Sequence, residues 1–440
     1  MGFQTGLSGL NASSKNLDVI GNNVANSSTV GFKTSQAQFA DVFAASLAGA
    51  GASQVGIGTK VATVAQQFTQ GNISVSNNTL DVAINGRGFF VLSNNGTATY
   101  TRNGQFQLDK DGYIVTSGGL NVTGFQAVGG VVTGALGDLQ LNTSDINPQA
   151  TTLASPVVNL DSRMTPPTTP LTPFPATLTA VVPATVPPTY VQPTTDMYNS
   201  STSTTIYDSL GNPHVATLFF TKTPDTPAVV GPPAVPAVPG PWDVHGVIDG
   251  GSYNGGAVLT FDQLVFSTDG LLTSPIGPGT AQTIGWTAAS VDPTQTLNLD
   301  FTGTTQFGSP FGVNALTQDG YASGRLAGFN IGNDGTVLGR YTNGQVNTLG
   351  QIALANFANP QGLQPLGDNQ WTESPASGQA LIGAPGTSSL GVLQSGAVEE
   401  SNVDLTAELV NMIVAQRAYQ ANAQTIKTQD AVLQTLVNLR

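Results

Sequence analysis

Cysteine is missing from all 440 residues, which excludes disulfide staples, thiolate metal sites and cysteine nucleophiles together. A chain without thiols is also indifferent to redox compartment, so this absence does not place it inside or outside a cell. Charge is nearly as scarce. Only 9% of residues are Asp, Glu, Lys or Arg, less than half the share of an ordinary globular enzyme. The 26 acidic and 13 basic side chains leave a net charge of −13, and no cluster of Lys or Arg interrupts it. That balance argues against nucleic acid and anionic membrane surfaces as partners. No apolar run approaches the length of a membrane span, so no membrane insertion is expected. The N-terminus has neither a basic leader nor a continuous apolar stretch, so no secretory signal peptide is expected. Glutamate occurs only at Glu373, Glu399, Glu400 and Glu408, and histidine only at His214 and His245.

Proline is absent from both ends. None of the 27 lies in residues 1–147 or 386–440, while 19 lie between Pro148 and Pro241. Because proline breaks helices, the two ends are permissive for long ones. Phe3, Leu10, Leu17 and Val24 recur every seven residues, with Leu7 and Ile20 filling the same stripe. At the other end Leu405, Met412, Tyr419, Ile426 and Leu433 form an unbroken heptad series, flanked by Leu409, Ile413, Leu436 and Val437. Ser401 or Asn402 suits the cap of this second helix, and Asp404 and Glu408 suit the positive end of its dipole.

Between the helices the pattern is one of short strands and tight turns. Asn85-Gly86, Asn95-Gly96, Asn103-Gly104, Asp111-Gly112, Asp334-Gly335 and Asn343-Gly344 punctuate β-branched and aromatic runs such as Leu80–Ile84 and Phe89–Leu92. Residues 147–318 read as an insertion holding two proline-rich stretches, Pro166–Pro193 and Pro224–Pro241. Residues 164–318 carry nine Asp, no Glu and a single basic residue, Lys222, for a net charge of −8.

Catalytic and cofactor chemistry finds no footing. The histidines stand far apart, and His214 and His245 read as structural. No nucleophile elbow, phosphate loop or dinucleotide turn occurs. Asp109-Lys110-Asp111-Gly112 lacks the spacing of a calcium loop and reads as a hairpin turn. The few glutamates read as lying outside the β domains, away from where paired-carboxylate sites are built. No enzyme activity, metal or cofactor is expected.

Three segments carry a family resemblance. Residues 6–33, GLSGLNASSKNLDVIGNNVANSSTVGFK, resemble the shared start of the flagellar axial proteins, the match resting on Asn22, Asn23, Ala25, Asn26, Gly31, Phe32 and Lys33. Residues 80–92, LDVAINGRGFFVL, are similar to the β-domain signature of their rod and hook branch, and residues 401–440 resemble the shared ending. Residues 208–220, 318–345 and 349–363 look like the hook branch in particular. The resemblance implies a mainly β, nested multi-domain protein with long terminal helices forming a coiled-coil core and two or more β-sandwich or barrel domains. In that scheme residues 1–30 and 401–440 are axial helices and 31–70 and 366–400 are linker segments. Residues 71–146 and 319–365 form an inner β domain, and 147–318 form an outer one.

The implied function is structural: a subunit that polymerises with its own kind into a curved, flexible tube transmitting torque between rod and filament. Assembly residues would then be Phe3, Leu7, Leu10, Leu17, Ile20, Val24, Leu405, Leu409, Met412, Tyr419, Ile426, Leu433 and Leu436. Gln416, Asn422, Gln424 and Gln429 are candidates for a channel lining, with a second helix–helix contact as the alternative. Rod, hook-cap and hook–filament junction proteins and the flagellar type III export apparatus are the implied partners. Location at the flagellum, outside the cell after export without a cleaved signal, follows from the same resemblance. A lone pair of these helices would be marginal, because ordering costs about 1–2 kcal/mol per residue and Gly6, Gly9 and Gly21 each oppose helix by about 1 kcal/mol. The ends are therefore expected to fold on assembly. A distal rod subunit and a β-rich secreted adhesin stay open as other assignments.

Overall fold

In the computed structural model, helix α1 runs Gly2–Ala25 and helix α2 runs Leu405–Asn438. The structure describes residues 2–42, 56–94, 96–142, 144–168, 180–181, 189–226, 239–252, 255–286 and 291–438. Both helices occupy the proline-free ends. The cap of α2 is Asp404, not Ser401 or Asn402: its Oδ1 accepts from the backbone N–H of Thr406 at 2.9 Å and of Ala407 at 3.1 Å. The Asn402 amide is turned the other way, toward Thr34, Gln67 and Thr69.

The chain forms two compact units, residues 1–143 with 326–340 and 346–440, and residues 144–325 with 341–345. In the first, a mixed-length antiparallel sheet runs in the order Leu326–Ile331, Thr336–Tyr341, Val346–Ile352, Asn121–Val128, Phe89–Asn94, Thr97–Thr101, Gln370–Thr372, Gln364–Gly367. Phe89–Asn94 is central to it, and its uninterrupted apolar start has a simple cause. Phe90 and Leu92 point into one core with Ile84, Phe106 and Ile352, while Phe89 and Val91 point into another with Tyr100, Phe357 and Trp371. A strand buried on both faces reads as a continuous apolar run. Edge-to-face contacts of 5.4–5.8 Å tie Phe68, Phe89, Phe357 and Trp371 together.

Turn chemistry places most of the corners. Gly112, Gly335 and Gly344 hold φ of +84°, +80° and +82°, as expected after Asp or Asn in a tight turn. Asn103-Gly104 differs. Gly104 has no positive φ and instead lets two backbones meet: Val82 N–H donates to its carbonyl at 2.9 Å, and an added Cβ would run into the Val82 carbonyl.

Two segments expected as linkers are structured. Residues 31–70 contain an antiparallel hairpin of Ser35–Val42 with Gly58–Gln66. Residues 366–400 contribute short strands, with Leu381–Gly383 pairing Leu354–Asn356, Val392–Ser395 pairing Val82–Asn85, and Ala397–Glu399 pairing Ile73–Val75. The last of these corrects the placement of the glutamates, since Glu399 is a strand residue inside the first unit and almost wholly buried.

The second unit stacks a five-stranded sheet, whose longest strands are Ser200–Tyr207, Pro213–Lys222, Trp242–Ile248 and Leu259–Phe266, with a four-stranded sheet containing Leu153–Asn159 and Gly312–Gln318. One core containing Leu218, Phe220, Trp242, Leu299 and Phe301 joins them. Its limits are wider than the expected 147–318, because Ile146 N–H donates to Gly324 and Gln149 exchanges backbone hydrogen bonds with Tyr321. Residues 319–325 thus belong here and not to the inner β domain. Much of both proline-rich stretches lies outside the described residues. The His214 ring sits between Asp249 at 2.7 Å and Asp208 at 3.3 Å, with the Trp286 ring tilted against it at 4.5 Å. His245 lies beside Thr260.

Candidate functional site

The two terminal helices meet through small residues on α1. A Cβ on Gly6 would lie 3.1 Å from Ile426 Cγ1, and one on Gly9 would lie 2.9 Å from the Asn422 amide. Glycine at both positions lets α1 and α2 approach closely, and the Asn422 amide reaches Ser13 Oγ at 3.4 Å. Asn422 therefore belongs to the helix–helix seam, which favours that alternative over a channel lining. On its other side α1 rests on the hairpin, where Thr59 N–H donates to Ser8 Oγ at 3.3 Å and Gly58 leaves room for the same hydroxyl.

The heptad positions do not share one environment. Ile20 is buried, and Leu10, Leu17, Val24, Met412 and Ile426 are partly buried. Phe3, Leu7, Leu405, Leu409, Tyr419 and Leu433 are exposed, and the side chain of Leu436 lies outside the described residues. Of the α2 residues 405–435, Ala415 alone is buried. Val410, Ile413, Val414 and Val432 are exposed with the rest. A helix this apolar and this uncovered presents a surface that soluble monomers seldom tolerate.

Where the helices join the β unit, a charged cluster is buried. Lys33 Nζ donates to Glu399 Oε1 at 2.6 Å and to the Thr69 carbonyl at 2.8 Å. Arg102 Nη1 donates to Glu399 Oε2 at 3.1 Å, and its Nη2 to the Gly86 carbonyl at 2.8 Å. Gly71 N–H adds a further bond to Glu399 Oε1 at 2.9 Å. The side chains of Lys33, Arg102 and Glu399 are 0%, 4% and 0% exposed. Burial pulls the Lys33 ammonium below its ordinary value; Glu399 opposes that shift and Arg102 adds to it. Burial likewise lowers Arg102 against the pull of Glu399. One carboxylate thus stands between two cations, and the Arg102 guanidinium lies 5.6 Å from the centre of the Phe89 ring.

The other motif residues gather at the same root. Asn23 is buried and trades two hydrogen bonds with the Ser35 backbone, at 2.8 and 2.9 Å. Asn26 bonds back to Asn22 to turn the end of α1, beside the exposed Ala25. Phe32 is buried, and Gly31, at φ +73°, donates its N–H to the Glu399 carbonyl. A Cβ at Gly31 would meet the backbone of Arg102 and Asn103 at 2.6–2.9 Å, atoms that cannot move aside. Asn402 and Asn369 complete the clasp, accepting from Thr34 N–H at 2.7 Å and donating to the Val30 carbonyl at 2.9 Å respectively. The sequence singled out neither Arg102 nor Asn369, offered Asn402 only as a helix cap, and set Glu399 outside the β domains with the other glutamates. The available signal was scarcity, since in a chain with so few charges each one inside a β run asks for a partner.

Comparisons with known proteins agree along the chain. Residues 3–33 match the family described as flagella basal body rod protein, and 83–155 match flagellar hook protein FlgE/F/G D1 domain. Residues 159–321 match flagellar basal body protein FlaE D2 domain, and 394–439 match flagellar basal body rod FlgEFG protein C-terminal. The chain is 42% identical to flagellar hook protein FlgE of Escherichia coli (strain K12) over 448 aligned positions, covering 100% of both. It is 32% identical to flagellar hook protein FlgE of Borreliella burgdorferi over 475 positions, covering 99% of this chain and 98% of the relative. In fold it is similar to the crystal structure of Helicobacter pylori flagellar hook protein FlgE2, with TM-score 0.52 at 15% identity over 74% of this chain and 100% of that one.

Proposed function

The chain belongs to the flagellar hook protein family and is a structural subunit of the bacterial flagellar hook, and on that premise we propose that it self-assembles through α1 and α2 into a curved, flexible tube. The uncovered apolar surface of α2 carries this reading: Leu405, Leu409, Val410, Ile413, Val414, Tyr419, Val432 and Leu433 are exposed in the single chain. These side chains are about half covered already, so burying the rest against neighbouring copies stabilises by about 1 kcal/mol each. Phe3 and Leu7 are likewise exposed on α1, and the partly buried heptad residues hold the two helices together as a coiled-coil core. The β units then lie outward of that core in their order of insertion.

Such a tube transmits torque between rod and filament and carries exported subunits through its channel. Its ends meet rod, hook-cap and junction proteins, and its subunits reach the cell exterior through the flagellar type III apparatus without a cleaved signal. The assembly test uses purified chain salted out and viewed by electron microscopy, where supercoiled helical tubes are expected. Leu409→Asp is exposed enough to leave the monomer folded and should raise the critical concentration by about tenfold or more. Amorphous precipitate from the wild-type chain, or normal tubes from the variant, would remove the helix-driven reading.

A further inference from the structure

The tube reading says that copies pack; the structure also indicates which surface receives which. A groove of about 730 Å³ lies between α1, α2 and the hairpin, its apolar lining including Ala12, Val19, Ile20, Phe39 and Ala415 and its polar lining including Glu408. Glu408 is only partly exposed, and its Oε2 is buried without a hydrogen-bond partner. An unmet carboxylate oxygen is costly, and more so than a neutral acceptor. The groove therefore combines apolar and amide-rich lining with one unanswered negative charge.

A complementary surface exists on the same helix. Val410, Ile413 and Val414 are 55%, 51% and 60% exposed, and Arg417 follows them at i+7, i+4 and i+3 respectively, so all four share one stripe. Arg417 is exposed and makes no ion pair among the described residues. Lys427 lies off this stripe by helical spacing, and Lys15 already sits 3.7 Å from Asp18. Glu408, Asn411, Val414, Ala415, Ala418 and Asn422 line the groove from α2, so Val414 stands on the border between stripe and groove.

We propose that this groove receives the Val410–Arg417 stripe of α2 from a second copy of the chain, with the incoming Arg417 guanidinium seated on the Glu408 carboxylate. The proposal rests on the assembly reading and names its contact. Val410, Ile413 and Arg417 stand outside the groove lining and Val414 alone of the stripe borders it, so a copy that inserts its stripe keeps most of its own groove open for the next. Such a head-to-tail contact propagates into an open series and does not close as a two-fold dimer.

Full-length chain carrying Glu408→Arg or Arg417→Glu tests this, with assembly followed by light scattering and sedimentation. Each single variant should keep the wild-type circular dichroism and melting profile but assemble slower by on the order of tenfold or more, since like charges then face each other. The double variant E408R/R417E should return to nearly wild-type assembly. An equimolar mixture of the two single variants should also recover, because every contact then pairs Arg with Glu across two copies. K427E should assemble as wild type. Singles that assemble normally, or a folded double variant and mixture that stay as poor as the singles, would overturn the proposal. Failure of the wild-type chain itself to assemble would instead strike the assembly reading, and this contact with it.

Discussion

Glu399 decides the state of the helix root, because among the described residues it is the one carboxylate paired with the two buried cations. Glu399→Gln leaves Lys33 and Arg102 facing each other in a dry site, and should cost about 3–5 kcal/mol in urea unfolding. Lys33→Met should cost less, about 1–3 kcal/mol, since Glu399 loses one donor along with the Thr69 carbonyl but keeps Arg102 and the Gly71 N–H. The opposite order would show that the cluster is not balanced around the carboxylate. Lys33 stood out in the sequence as a motif residue, but nothing local pointed to its partner. The two residues are 366 positions apart, and pairing at that distance leaves no periodic or spacing signal.

At the scale of elements, the helices were legible because heptads and the absence of proline agree with each other. The hairpin was not. Gly58–Gln66 reads GTKVATVAQ and has no buried residue, so its sequence carries no alternation between an inward and an outward face. The strands of residues 366–400 are only three or four residues long, shorter than a period-two pattern needs to declare itself. The exposure of α2 has a dynamic consequence. A helix that buries only Ala415 among residues 405–435 gains little from packing in its own chain. Hydrogen exchange should therefore find the α2 amides weakly protected in dilute monomer and strongly protected in the polymer. Strong protection in the monomer would contradict folding on assembly.

At the scale of the molecule, the second unit should have its own acid sensitivity. Hydrogen bonds from Arg163 hold the Asp161 carboxyl down from 3.8 to about 2. Asp208 is also lowered: burial pushes it up, but bonds from Asn212 and His214 outweigh that. A carboxyl lowered on folding stabilises above its unfolded value and loses that contribution as pH falls through its folded one. Melting of the second unit should accordingly weaken between about pH 4 and pH 2, and Asp161→Asn should flatten the slope; an unchanged slope would place the acid lability elsewhere. The unit's two ends are neighbours, since Ile146 bridges Gly324, so replacing 144–325 with a short Gly-Ser linker should leave α1, α2 and the first unit able to assemble. We expect straighter, stiffer tubes by electron microscopy, and complete loss of assembly would show that the second unit is part of the polymerising contact. The root cluster also reports on whether the chain is whole. Lys33 and Arg102 are placed long before Glu399 in sequence, so a chain broken off short of its last forty-odd residues would present two positive charges to a cavity shaped for three groups and could not seal it. Closure of that clasp is a signature written by both termini, and an incomplete copy would be left ajar at the place where its helices should leave the β unit.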